Sequence, residues 1–144
     1  MPLIIDLYRY ILKTSDEELI PLETEIKFAK NYNHLLMKRF GDNYKVTIDI
    51  QDLDYYLPPM SLHSLLENIV KHNRIDDDYP MVFSIRQDGD MLTVRNQIHL
   101  KKNVDSTGKG LNILKEQYKY LTDRAIIIEE TPHLFQVQIP LLKL

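Results

Sequence analysis

Between Ser61 and Asn73 the chain places chemically capable side chains along one side of what reads as a helix. At about 100° per residue, Leu62, Leu65, Leu66, Ile69 and Val70 share one face. The opposite face collects Ser61, Ser64, Glu67, Asn68, Lys71 and His72. Asn68 and Lys71 are three residues apart and so are neighbours on a helix surface. The first offers a neutral oxygen suited to Mg²⁺, the second a compact positive charge suited to phosphate. A surface helix with a solvated polar side would show the same periodicity, so it is the content of this side that points to a site.

A second group of residues is Ser106-Thr107-Gly108-Lys109-Gly110-Leu111-Asn112-Ile113. Gly108 and Gly110 open a predicted helix directly after a long polar stretch. Glycine lets a backbone come close to a ligand, and a helix start offers free N–H groups and a positive dipole end to an anion. Taken alone, the pair is equally a plain turn.

The elements that must position these groups follow from periodicity. Ile4, Leu7 and Ile11 fall on one short helical stripe, suited to packing within this domain or against a partner helix. After a polar connector, Thr14 to Pro21, the residues Leu22, Ile26, Ala29, Asn33, Leu36 and Phe40 step by four and three. They mark a long amphipathic helix that Gly41 and Asp42 end. Alternation predicts a strand over Tyr44–Ile50, and Pro58-Pro59 opens the helix of about Met60–His72. Two further strands, Tyr79–Arg86 and Met91–Asn96, are joined at Gln87-Asp88-Gly89-Asp90, where the Asp-Gly step is a hairpin signal. The polar stretch Gln97–Thr107 has no periodicity, and loops of that length in compact domains are usually functional or disordered. A helix over Lys109–Leu121 and a closing hairpin, Ala125–Glu130 with Leu134–Pro140, complete the chain. Helices on one side of a mixed, mostly antiparallel sheet make an α/β (α+β) two-layer sandwich.

Bulk properties close off other classes. The 144 residues suit one core, and acidic and basic residues are interspersed with a net charge of −3. That disfavours nucleic acid, which calls for a concentrated basic face. No cysteine is present, which removes disulfides and thiolate metal sites. No apolar run approaches the roughly 20 residues that span a bilayer, and Asp6 and Arg9 interrupt any leader-like start. His34, His63, His99 and His133 lack His-Glu-x-x-His spacing, and no serine sits in Gly-x-Ser-x-Gly.

The order of these features is more specific than any one of them. An Asn-x-x-Lys helix, a hairpin ending in Val94-Arg95-Asn96, a long loop, then Gly-x-Gly-Leu opening a helix resembles the GHKL ATPase/kinase superfamily. Within it the chain is similar to the Lyt-type sensor histidine kinases. The resemblance is carried by Leu7-Tyr8-Arg9-Tyr10, Pro21-Leu22-Glu23, Arg39-Phe40-Gly41, Leu57-Pro58-Pro59, Leu65 to Asn73, Gly108 to Ile113 and Ile127-Ile128-Glu129-Glu130.

That resemblance implies a Bergerat-type ATP-binding fold and the cofactors ATP and Mg²⁺. Asn68 would ligate Mg²⁺ bridging the phosphates, with Lys71 and His72 contacting phosphate from the same face. Asn96 falls where many members place an aspartate that accepts a hydrogen bond from the adenine amino group. Gln97–Thr107 would be the ATP lid, and the segment Gly108, Lys109, Gly110 and Leu111 would meet the triphosphate. Residues 1–20 would be the end of a dimerisation-hairpin helix with its connector, and residues 21–144 the catalytic domain. The implied reaction is transfer of the γ-phosphate to a histidine on the adjacent dimerisation domain, then to a response regulator of the LytTR type. The parent would be a homodimer anchored in the inner membrane, with this part in the cytoplasm and touching no membrane. No histidine here sits in the Asn-Pro-His-Phe context of the family's phosphoacceptor.

Two positions depart from the pattern. Ile98 stands where the family has a glycine, so the turn beneath adenine must be built differently. Ser64 stands where water-activating relatives carry a glutamate, one helical turn before the metal asparagine. Glu67 either assists the chemistry or pairs with solvent. Ile98 and the uncharged Asn96 would suit an alternative, a signalling scaffold with a degraded nucleotide site.

Overall fold

The stripe anticipated at Leu22, Ile26, Ala29, Asn33 and Leu36 builds helix α1 (Leu22–Phe40), and all five side chains are buried. Glu23 and Glu25 lie in its first turn and Lys38 and Arg39 in its last, the arrangement a helix dipole favours. Gly41 stops it with φ 61°, a conformation that only glycine adopts without strain, and its N–H bonds back to the Met37 carbonyl. The computed structural model describes residues 19–99 and 109–144. The stripe expected at Ile4, Leu7 and Ile11, and residues 100–107 of the expected loop, lie outside these.

Strand β1 (Ile20–Pro21) precedes α1, and a single 3₁₀ turn, Gly41–Asn43, leads from α1 into β2 (Tyr44–Asp49). Then come β3 (Tyr56–Leu57), α2 (Ser61–His72), β4 (Met81–Asp88) and β5 (Met91–Gln97). Helix α3 (Lys109–Leu121) and the strands β6 (Ile127–Glu130) and β7 (Leu134–Pro140) follow. Five strands form one sheet in the order β2-β4-β5-β7-β6. β2 and β4 pair in parallel; β4–β5, β5–β7 and β7–β6 are antiparallel. The mixed, mostly antiparallel sheet with helices on one face is the expected two-layer sandwich.

Period-two alternation decides which face is covered. Met81, Phe83, Ile85 and Gln87 of β4 and Leu92, Val94 and Asn96 of β5 are buried, while Val82, Arg86 and Asp88 are exposed. Against the inner face pack Leu62, Leu65, Leu66 and Ile69 of α2 and Leu114 and Tyr118 of α3. The outer face carries polar rows instead: Arg95 Nε donates to Gln136 Oε1 at 2.9 Å. The β4–β5 hairpin closes in two residues, Gly89-Asp90, with Gly89 at φ 58°.

A second, two-stranded sheet escapes any periodicity argument because each strand has two residues. β1 and β3 pair antiparallel, and Tyr56 also exchanges both backbone hydrogen bonds with Leu142, at 2.7 and 2.8 Å. This clamp holds the segment that leads through Pro58 and Pro59 into α2. Among the described residues no helix is long and apolar enough to cross a membrane.

Gln87 is the polar exception on the inner face of β4. It is 1% exposed and ties the connection after β2 to the end of β4. Its Oε1 accepts from Gln51 and Asp52 N–H at 3.0 and 2.8 Å, and its Nε2 donates to the Asp52 and Gly89 carbonyls at 2.8 and 3.0 Å. Leucine there would strand four backbone groups. Gln87→Leu is therefore expected to lower unfolding free energy by about 3 kcal/mol, measured by urea denaturation. A loss under about 0.5 kcal/mol would show that the bridge contributes nothing net.

Candidate functional site

Helix α2 is fixed at both ends before its polar face is considered. Its N-cap, Met60, adopts the left-handed conformation (φ 67°, ψ 12°) and supplies no side-chain cap. Capping comes from another helix. Glu25 of α1 is fully buried, and its Oε1 accepts the Leu62 N–H at 3.0 Å. Burial raises the Glu25 carboxyl from 4.5 to about 7, against the lowering pull of the Leu62, Met60 and Ser61 N–H groups. Its second oxygen, Oε2, is buried without a hydrogen bond. Ser61, expected on the polar face, is instead fully buried, with its hydroxyl donating to the Pro58 carbonyl at 2.5 Å. The hydroxyl thus satisfies the carbonyl of Pro58, just before the helix, and Ser61 is drawn inward with it.

At the other end Asn73 closes the helix. Its Nδ2 donates to the Ile69 carbonyl at 2.9 Å, and its Oδ1 accepts the His99 N–H at 2.8 Å. The Arg74 N–H bonds the His99 carbonyl at 2.6 Å, and Tyr79 lies between the two side chains, with its ring against His99 and under the Arg74 guanidinium. The residues after β5 are thereby joined to the end of α2. The N–H of Ile98, where the resemblance implies a glycine, reaches the His133 carbonyl at 2.9 Å and continues the β5–β7 ladder.

Of the sequence-predicted residues, Asn68, Lys71, His72 and Asn96 lie on the two elements that this junction joins. Asn68 is half-buried and Lys71 exposed, and among the described residues neither side chain makes a hydrogen bond or ion pair. His72, the last residue of α2, is half-buried and has partners of its own. Asn96 is buried at the end of β5, three residues before the His99 tie. Its Nδ2 donates to the Gln97 carbonyl at 2.7 Å, which leaves the amide oxygen and the second N–H to offer a ligand. Leu111 is half-buried in the first turns of α3 and packs against the core. Lys109 and Gly110 form the start of α3, and Gly108 lies outside the described residues. The structure thus brings the end of α2 and the end of β5 together.

Glu67 neither faces solvent alone nor turns towards Asn68. His63 Nε2 lies 2.8 Å from Glu67 Oε2, one helical turn back. The His63 ring stands edge-on against Phe28 and Tyr32 of α1, with centroids 5.4 and 5.6 Å apart. Burial, then the charge of Glu67, raises the Tyr32 phenol above its ordinary value.

Among the described residues no three His, Cys, Asp or Glu gather as a metal site. Mg²⁺ fits this arrangement, because it keeps several waters and takes substrate phosphate oxygens as ligands beside one or two protein groups. Asn68 could be such a group, Lys71 a phosphate contact, and the Asn96 oxygen an acceptor for a ligand N–H.

Comparison with known proteins bears on the family and the fold. Residues 3–44 match the family model described as histidine kinase. The sensor protein LytS of Oceanobacillus iheyensis is 35% identical over 63 residues, 42% of this chain and 11% of its own length. LytS of Enterococcus faecalis is 25% identical over 136 residues, 89% of this chain and 21% of its own. The chain thus spans a minor part of these relatives. Among solved structures, the catalytic domain of histidine kinase ThkA superposes with a TM-score of 0.60 at 13% identity, covering 88% of this chain and 97% of that one. The cytoplasmic segment of histidine kinase QseC gives 0.58 at 17%, covering 88% and 78%. The fold is that of histidine kinase catalytic domains, and the resemblance to the Lyt-type kinases is borne out.

Sequence reading passed over Glu25 and Asn73. Glu25 had a signal: it lies three residues after Leu22 and four before Ala29, inside the apolar stripe. Asn73→Ala should cost about 2 kcal/mol of stability, since it orphans the His99 N–H and leaves the Ile69 carbonyl with the backbone N–H of residue 73 alone. Thermal or urea unfolding measures it, and an unchanged midpoint would mean water replaces both bonds.

Proposed function

We propose that this relative of the Lyt-type sensor histidine kinases is the part that binds Mg·ATP and donates its γ-phosphate to a histidine on an adjacent dimerisation segment. Residues 21–144 would form this catalytic unit and residues 1–20 the link to the dimerisation hairpin. From that histidine the phosphate would pass to a response regulator, of the LytTR type by analogy, within a homodimeric, membrane-anchored parent.

One observation carries the reading. Asn68 and Lys71 share one face of a helix fixed at both ends, and among the described residues neither has a structural partner. Asn68 would hold Mg²⁺ through its amide oxygen, and Lys71 would meet phosphate oxygens. Asn96 would accept from the adenine amino group, and His72, Gly108, Lys109, Gly110 and Leu111 would line the nucleotide. When bound, Mg²⁺ would neutralise charge between the phosphates. Phosphoryl transfer draws most of its acceleration from positioning and charge stabilisation, which is what such a face supplies. Glu67 would stay a structural partner of His63, and Ser64, lacking a carboxylate, would leave water unactivated.

Asn68→Ala should remove most of the Mg²⁺ dependence of ATP binding while leaving the circular dichroism spectrum unchanged, because the residue lies outside the core. Titration with ATP, with and without Mg²⁺, decides this; a variant that binds Mg·ATP like the wild type defeats the assignment of the metal ligand.

In a second test, labelled ATP is incubated with the chain alone and with a separately produced dimerisation hairpin bearing the histidine. Label should appear on the hairpin and not on the chain. Label on the chain alone would place an acceptor within it. No label on the hairpin, despite measurable ATP binding, would favour the scaffold reading.

A further inference from the structure

Glu25 is the one acid fully buried among the described residues, and the proposed chemistry does not use it. It sits on α1, and its carboxyl meets the backbone of Met60, Ser61 and Leu62 at the start of α2. From α3, Tyr118 is the titratable group whose own equilibrium feels Glu25; its hydroxyl is turned to the Pro140 carbonyl at 2.8 Å. One carboxyl therefore lies at the junction of the three helices, and the helix it caps is the one that carries Asn68 and Lys71.

We propose that Glu25 is a positioning residue for the nucleotide site, whose buried carboxyl holds the first turn of α2 and releases it when the proton is lost. The nucleotide half of this rests on the Mg·ATP reading above; the hold on α2 does not.

The direction follows from linkage. The folded carboxyl releases its proton near 7, whereas a hydrated one does so near 4.5. Between those values the closed junction keeps a proton that an opened, hydrated junction would lose. The closed junction is thus favoured most below pH 4.5, and that advantage declines as pH rises, reaching its minimum above pH 7. The unpaired Oε2 gives the mechanism. The N–H groups at the start of α2 meet a charge on the carboxyl only in part, and burial outweighs them, so exposure to water solvates it better. From the same two values, the equilibrium for opening the α1–α2 junction rises about tenfold between pH 6 and pH 8.5. Lys71 and Asn68, one to three turns along the same helix, would then be held less firmly.

The experiment compares the chain with E25Q, which keeps the Oε1 acceptor and stays neutral. Amide hydrogen exchange of Leu62–Leu66 and Mg·ATP affinity are measured for both from pH 6 to pH 8.5. Nucleotide phosphate titrates in this range too, so affinity is read as the ratio of the two proteins. Protection of the first turn, corrected for intrinsic exchange, should fall about tenfold in the wild type and stay level in E25Q. The dissociation constant of the wild type relative to E25Q should rise with pH. Equal protection profiles in the two proteins would overturn the proposal. Unequal protection with a flat affinity ratio would make Glu25 a structural latch and overturn its positioning role. Unequal protection with no nucleotide bound by either protein would uphold the latch and defeat the Mg·ATP reading instead. The carboxyl ¹³C shift of Glu25 in the wild type checks the hold without any substitution: a midpoint near 4.5 would sink it.

Discussion

A helix can offer one face to a ligand only if its opposite face and both ends are held by something else. In α2 the apolar face is met by the sheet and by α1 and α3, so the constraint falls on the ends, where helices leave backbone groups unpaired. The first turn has no side-chain cap of its own, and the Glu25 carboxyl reaches across from α1 to serve it. The last turn is closed by Asn73, which uses both ends of its amide. With the ends settled in this way, Asn68 and Lys71 are spared from structural duty.

The cost of this arrangement is a carboxyl in a place without water. A surface residue could cap α2 without desolvation, but a surface residue would not join α1, α2 and α3. The same compromise recurs in milder form at Asn33, whose Oδ1 accepts from the Tyr44 hydroxyl at 2.8 Å while its Nδ2 goes unpaired. Burial keeps the Tyr44 phenol protonated, so that this bond lasts at any ordinary pH. Polar groups in the core here tie together elements that lie far apart in the chain.

Most of the architecture was legible because its elements are long enough to show a period. The α1 stripe, the alternation in β4 and β5 and the Asp-Gly hairpin each repeat a physical rule several times. The pairing of β1 with β3 was not legible, since two residues show no alternation. The start of β4 was expected at Tyr79 and lies at Met81, because Asp76 draws the Asp78 and Tyr79 N–H groups into a turn. At the site, the residue types of Asn68, Lys71 and Asn96 were readable, and their helix and strand are as expected. The bonds that hold those elements were not, because Glu25, Asn73 and Gln87 act across the chain on partners no local pattern names. Two of the three still broke a pattern: Glu25 interrupts an apolar stripe and Gln87 an apolar strand face. A polar residue in an apolar phase is therefore the signal to look for.

The clamp on β3 has a bearing on how the protein is made. Tyr56 is paired on one side by β1, which precedes it, and on the other by Leu142, which is translated 86 residues later. A ribosome releases the chain from the N-terminus, so α1 and Glu25 are available before α2 emerges. The other flank of β3 is not. The segment entering α2 gains its second neighbour only after Leu142 has cleared the exit tunnel, and Lys143 then adds its contact with Asp54 at 3.2 Å. Vectorial synthesis thus leaves the helix that carries Asn68 and Lys71 half anchored until Leu142 is out, which ties the setting of α2 to completion of the fold.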